Sequence, residues 1–303
     1  MGHTDVVRLL LADGRVDPTA MDNSAIQWSC RNGHTDVIKL LLADGRVNPA
    51  AKNNEAIRMS SQEGHTDVVK LLLADGHADP TVWDNWAIQL SSRWGHTDVI
   101  KLLLADARVD PTVRDNLAIQ TSSQNGHADV VKLLLADERV NPAAGEDEAI
   151  RMSSQEGHTD VVKLLLADGR ADPTACNNLA IRESSGNGHT DVVQLLLADG
   201  HADPTAGDNF AIRWSSRNGH TDVVKLLLED GRADPAANDN WAIRWSSWIG
   251  RSDVVRLLLA DARVDPAAYD NTAIRWSSSM GHAEVVKLLL ADGRADPNAE
   301  LAQ

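Results

Sequence analysis

"GHTDVVKLLLADG", residues 64–76, reads as one short helix with its start and stop written in. Asp67 falls in the first turn, where the positive end of the helix dipole favours an acid, and Gly76 follows the last turn. In the first copy Val6, Val7, Leu9, Leu10 and Leu11 cover most of the circumference and leave Asp5, Arg8 and Ala12 as a narrow polar stripe. Such a helix has to be covered by neighbours on both sides. The same signal starts at Gly2, Gly33, Gly64, Gly95, Gly126, Gly157, Gly188, Gly219, Gly250 and Gly281 with a constant period of 31. A fixed period of this length marks a solenoid of stacked units, in which neighbouring copies supply the cover.

Between these helices lie Asp-Pro and Asp-Asn sequences that mark turns, and a second apolar stretch of the form "NxAIRWSSRNG" that reads as a short helix capped by its Asn or by the Asp before it. Call this the first helix of each unit, and the Val- and Leu-rich one the second. At Ala107, Glu138 and Ala262 the glycine after the second helix is replaced, so a left-handed cap is not obligatory there.

The copies can be compared inside the one chain. Ala25, Ile26 and Ser29 are the same in all nine complete copies, and Cys30 is Ser in the other eight. The position of Ser24 also holds Glu55, Trp86, Leu117, Phe210 and Trp241; that of Trp28 holds Met59, Leu90, Thr121, Glu183, Trp214, Trp245 and Trp276; that of Arg31 holds Gln62, Gly186, Arg217 and Trp248. At about 100° per residue, positions 24, 27, 28 and 31 share one face and 25, 26, 29 and 30 the other. The first face is free to change and is expected at the surface. The second is fixed, small and apolar, as close helix packing requires.

A pair of helices per repeat with "GHTDVVKLLLADGRADPTA" in the second resembles the ankyrin repeat, and the likeness runs from about residue 2 to 301. Ankyrin repeats are typically about 33 residues long and open their first helix with Thr-Pro-Leu-His, where this chain has "WAIR" at 241–244. The shorter connection leaves the family's β-hairpin fingers short or absent. The resemblance implies an all-α solenoid of stacked helix-turn-helix repeats forming one domain over 1–303, nine full repeats after an initial lone second helix. It also implies a protein-interaction scaffold that grips partners with the concave first-helix stripe and the loop tips. On that pattern Arg31, Asn32 and Met21 through Ser24, with their equivalents, are the positions that differ between binders, while the position of Trp28 is partly buried between repeats.

Composition narrows the function classes. Net charge is −15, the wrong sign for general attraction to nucleic acid or anionic membrane. No apolar run approaches the length of a membrane span, and the N-terminus fits neither a secretory signal nor a myristoylation site. Cys30 and Cys176 are the only cysteines and offer no disulfide framework, which suggests a cytoplasmic or nuclear location. Nine Gly-His pairs space their histidines 31 residues apart without a second ligand, so each is expected to hydrogen-bond loop backbone, not metal. No nucleotide-binding, hydrolase or metalloprotease motif appears, so the expectation is a non-enzyme with no cofactor and no small-molecule substrate.

The candidate binding residues are the aromatics on the variable face and loops: Trp83, Trp86, Trp94, Phe210, Trp214, Trp241, Trp245, Trp248, Tyr269 and Trp276, with Arg244. Arg244 belongs to a series, Arg151, Arg182, Arg213, Arg244 and Arg275, that would present a basic stripe beside the tryptophans, the composition of interaction hot spots. The bland alternative has each arginine paired with a neighbouring loop aspartate and the tryptophans packed between repeats. Within "DNWAIRWSSWIG", residues 239–250, Trp241 and Trp248 are the expected contacts and Trp245 is shared between packing and surface. "NEAIRMSSQEG" at 54–64 and "DEAIRMSSQEG" at 147–157 point to duplication of a three-repeat block. The chain opens on a second helix and closes with its apolar pattern intact, as a segment of a longer protein would. Rival functions are a passive or elastic spacer, and the substrate-recruiting arm of a larger multidomain protein.

Overall fold

The computed structural model describes residues 3–296 and 298, and among them every regular element is an α-helix. In chain order these are α1 (Thr4–Asp13), α2 (Ala20–Arg31), α3 (Thr35–Leu42), α4 (Ala51–Gln62), α5 (Thr66–Asp75), α6 (Val82–Arg93), α7 (Thr97–Ala105), α8 (Val113–Gln124), α9 (Ala128–Leu135), α10 (Ala144–Gln155), α11 (Thr159–Asp168), α12 (Ala175–Asn187), α13 (Thr190–Asp199), α14 (Ala206–Asn218), α15 (Thr221–Asp230), α16 (Ala237–Ile249), α17 (Ser252–Ala260), α18 (Ala268–Ser279) and α19 (Ala283–Asp292). The chain divides into two compact units, Met1–Gly145 and Glu146–Gln303. In the first, α2, α4, α6 and α8 lie side by side and each packs on the second helix that follows it. In the second unit α12, α14, α16 and α18 repeat the arrangement over α13, α15, α17 and α19.

The fixed face is the core in both units. Ile26, Ile57, Ile88 and Ile119 are buried in the first, and Ile150, Ile181, Ile212, Ile243 and Ile274 in the second, each stabilising by about 1.5–3 kcal/mol. The second helices close over them with pairs such as Val68 and Val69 and one leucine such as Leu72. α1 buries none of its residues. Its Val6 and Leu10 are exposed where the equivalent Val37 and Leu41 of α3 are buried, because no first helix precedes it among the described residues. At the position of Cys30 the serines Ser61, Ser92 and Ser123, and in the second unit Ser154, Ser185, Ser216, Ser247 and Ser278, have buried hydroxyls without a protein partner. Burial pushes the Cys30 thiol up to about 12, so it behaves there as a small apolar group.

The connection before each first helix is neither a hairpin nor a simple cap. Met21, Asp22 and Asn23 have φ of 54°, 58° and 63°, a complete left-handed turn, and the right-handed helix starts only at Ser24. Trp83, Asp84 and Asn85 do the same, as do Asn238, Asp239 and Asn240 in the second unit. Left-handed residues cost about 1–2 kcal/mol each, least for Asn and Asp, which explains the recurring Asp-Asn or Asn-Asn pair. The expected N-cap by that Asn is corrected: its side chain bonds the next repeat instead. In the first unit Asn23, Asn54, Asn85 and Asn116 accept from the backbone N–H of Asn48, Asp79, Asp110 and Asn141 at 2.7–2.9 Å. In the second, Asn178, Asn209, Asn240 and Asn271 accept from Asp203, Asp234, Asp265 and Asp296 at 2.7–2.8 Å. This ladder ties each turn to the next.

One rung is an acid. Asp147 accepts from the N–H of Asp172 at 2.7 Å and is buried. Burial raises its carboxyl above the ordinary range and the nearby Asp172 charge adds to this, while the hydrogen bond works the other way. Folding therefore favours the protonated acid: the second unit carries no penalty below the unfolded carboxyl value of about 4 and loses that advantage as pH rises through the raised folded value. Asp147→Asn is expected to raise the unfolding midpoint at neutral pH, with the gain shrinking on acidification. A midpoint difference that stays constant from neutral to acid pH would show that the charge is not the cause.

The glycine that closes a first helix and precedes the histidine has two reasons to be glycine wherever a further repeat follows, as at Gly33, Gly64, Gly95, Gly157 and Gly188. Gly33 closes α2 at φ +69°, with its own N–H donating to the Cys30 carbonyl and the His34 N–H to the Ser29 carbonyl, a Schellman motif. A Cβ on Gly33 would also lie 2.8 Å from Nδ1 of His65 of the next repeat. That imidazole is held in place by donating from Nε2 to the Arg31 carbonyl at 3.0 Å. His96 and His127 in the first unit, and His189, His220 and His282 in the second, make the same bond to the preceding repeat. Arg251 replaces the histidine without changing its role: its Nε donates to the Arg217 carbonyl and its stem covers Gly219.

Candidate partner-binding surface

The variable face is built on the left-handed turn. Such a turn leaves carbonyls pointing at the start of its own helix, and the side chain five residues on reaches back to them. Gln27 donates to the Asp22 carbonyl at 2.7 Å, Gln120 to Asp115 at 2.7 Å, Gln89 to Asp84, and Arg58 to Asn53 at 3.0 Å. In the second unit Arg151 donates to Glu146 at 2.7 Å and Arg213 to Gly207 at 3.0 Å. Arg244 donates to Asp239 at 2.8 Å and Asn238 at 3.0 Å. Only a long donor serves, which is why this position holds nothing but Gln and Arg in the nine copies.

Of the expected basic stripe Arg244 is buried, whereas Arg151, Arg182, Arg213 and Arg275 are half-buried. Arg244 is 8% exposed and Arg58 6%, and burial lowers Arg58 and Arg213 below the ordinary arginine value, although guanidinium stays charged. Nor do the arginines mainly pair with loop aspartates of a neighbouring repeat; they hold carbonyls of their own turn. Arg275 adds an ion pair with Asp270 of its own repeat at 3.6 Å.

The aromatics separate into two groups. In the second unit Phe210, Trp214, Trp241, Trp245, Trp248 and Trp276 form one continuous half-buried row. Phe210 and Trp214 are stacked with ring centroids 5.3 Å apart, and Trp214 meets Trp241 of the next repeat at 5.7 Å. Trp245 is the hub, 5.3 Å from Trp241, 4.9 Å from Trp248 and 5.8 Å from Trp276. The expected division, with Trp241 and Trp248 outside and Trp245 shared, is corrected: all three are half-buried to the same class and pack on one another. The spacing i, i+4, i+7 put them on one face, but the neighbouring repeats that fill the space between rings are 31 residues away.

Arginines stack on the row. Arg217 lies over both Trp214 and Trp245, at 4.8 and 5.6 Å, Arg182 over Phe210 at 4.7 Å and Arg213 over Trp241 at 5.5 Å. Arg244 lies 4.6 Å over Tyr269, which stands at the tip of the left-handed turn and is 67% exposed. Arg217 was legible as a variable residue but not as the bridge between two rings.

In the first unit the candidates stand apart. Trp83 sits in the left-handed turn with Arg58 3.7 Å over its ring, Trp86 faces Arg114 at 5.5 Å, and Trp94 faces Arg93 at 5.9 Å. Trp83 and Trp94 are exposed and Trp86 half-buried. Trp28, at the position expected to be partly buried, is exposed, whereas its equivalent Leu90 is buried. Among the described residues no cluster of three or more His, Cys, Asp or Glu is placed to hold a metal, and no helix is long and apolar enough to cross a membrane.

A family profile for ankyrin repeats in three copies matches residues 1–84, 59–144, 85–177 and 148–239, and a single ankyrin-repeat profile matches 269–300. The chain belongs to the ankyrin-repeat family. It is an all-α repeat solenoid of a class that generally serves as protein-interaction modules and is typically non-enzymatic. Comparison with curated proteins gives no match.

Proposed function

We propose that the protein is a docking scaffold whose main contact is the first-helix face of the second unit, centred on Trp245. The observation that carries this reading is the aromatic row from Phe210 to Trp276, a contiguous apolar surface with arginines stacked along it. Clustered Trp and Arg on a surface are the usual carriers of binding energy, and a contiguous exposed apolar patch marks an interaction site. Tyr269 extends the surface to a turn tip, and Trp83, Trp86 and Trp94 offer separate contacts on the first unit.

The test is affinity capture with wild type, Trp245→Ala, Trp83→Ala and Lys225→Ala, a lysine on an exposed second-helix stripe. With helicity and unfolding midpoint checked first, Trp245→Ala is expected to reduce partner recovery about tenfold or more, while Lys225→Ala leaves it unchanged. Equal recovery by folded Trp245→Ala and Lys225→Ala would remove the aromatic row from the interface.

A further inference from the structure

We infer that the first-helix face of the second unit takes a cationic, extended segment of its protein partner; this rests on the docking reading above. The arginine series alone suggests the opposite, an acidic partner. In the structure the most exposed charged side chains of that face are nevertheless acidic, and the arginines are drawn inward. Arg244 is buried with Nε and one NH2 group on the Asp239 and Asn238 carbonyls, Arg213 donates to Gly207, and Arg217 lies flat over two indoles. Arg275 is paired with Asp270. These cations are committed to turn carbonyls, rings and one carboxylate.

What remains outermost is acidic. Asp208 and Asp239, each the second residue of its left-handed turn, are exposed and stand two residues before Phe210 and Trp241 of the aromatic row. The turns are tied to the aromatics through arginines: Arg213 donates to the Gly207 carbonyl and lies over Trp241, and Arg244 donates to the Asp239 carbonyl and lies over Tyr269. A partner side chain with an aliphatic stem and a cationic head, Lys or Arg, fits this order of chemistry, its stem on the rings and its head on the carboxylates. An extended backbone lets successive side chains meet successive repeats, and aromatic-lined surfaces suit Pro-containing extended segments. The chain's net charge of −15 steers the same partner in.

The experiment titrates the full chain with a short peptide of repeated Arg-Leu-Pro units, and with the same peptide carrying Glu for Arg, and follows tryptophan emission. Asp208→Asn/Asp239→Asn is the test variant; Asn53 and Asn177 already occupy this turn position, so the fold accepts it. Asp191→Asn/Asp222→Asn, exposed acids at the starts of α13 and α15, is the control for total charge. The cationic peptide is expected to bind saturably and the acidic one not, with the turn variant about tenfold weaker and the control pair within about twofold of wild type. Trp245→Ala, followed by calorimetric titration because it removes a reporting ring, is expected to abolish binding.

Equal weakening by the control pair would reduce the effect to overall charge and overturn the inference. Binding of the acidic peptide as tightly as the cationic one, still lost in Trp245→Ala, would overturn the cationic assignment while leaving the docking face standing. No response to either peptide would also overturn it. Cationic binding that survives Trp245→Ala would count against the docking face itself.

Discussion

Gly95→Ala is expected to lower the stability of the first unit by about 2–3 kcal/mol, about 1 kcal/mol more than Gly76→Ala. Both glycines have positive φ, +77° and +81°. A left-handed alanine costs about 1–2 kcal/mol at either site. The difference lies across the repeat boundary. Nothing lies within 4 Å of a Cβ placed on Gly76, whereas one on Gly95 would lie 2.6 Å from Nδ1 and 2.8 Å from Cε1 of His127. The ring has to move, and moving it breaks the bond from its Nε2 to the Arg93 carbonyl at 2.9 Å, worth about 0.5–1.5 kcal/mol. Denaturant midpoints of wild type, Gly95→Ala, His127→Ala and the double variant close a cycle in which the clash disappears with the ring and the backbone cost remains. If Gly95→Ala costs the same with and without His127, the ring contact plays no part.

Asn85→Ala is expected to cost about 2–3 kcal/mol, because it removes two different things. Asn85 is 6% exposed and left-handed at φ 57°, and its side chain accepts the Asp110 N–H at 2.9 Å. Alanine is a poorer left-handed residue and loses a part-buried hydrogen bond, worth about 0.5–1.5 kcal/mol. Asn85→Gly keeps the backbone freedom and loses only the acceptor; Asn85→Asp keeps the acceptor and adds a charge, as nature has at Asp147. The expected order of stability is wild type, then Asp, then Gly, then Ala. Amide exchange at Asp110 separates the mechanisms: it quickens in Ala and Gly but not in Asp. Unchanged protection in Asn85→Ala would mean that the ladder contributes nothing there.

Much of this architecture is legible in the amino-acid order. The 31-residue period, the Val- and Leu-rich helix and the invariant Ala, Ile and Ser of the first helix follow from local rules, and the fixed face is the buried one in both units. The face carrying Trp214, Trp245 and Trp276 is likewise readable as the side where copies differ.

What could not be read is what depends on two repeats at once, or on a backbone state that residue types permit without declaring. Asp-Asn signals a turn, but three consecutive left-handed residues are uncommon, so no local propensity announces them. Once the turn exists, its carbonyls claim the residue five positions on, and arginines of the series that looks like a basic stripe also serve as props of their own turns. The restriction of that position to Gln and Arg was visible, but its cause was not. The period, the helices and the packing face are therefore set by the sequence alone, because each rests on contacts within a few residues. The asparagine ladder, the imidazole over glycines such as Gly33 and Gly95, and the pooling of six aromatics into one row are decided by the tertiary structure, because each joins groups that only stacking brings together.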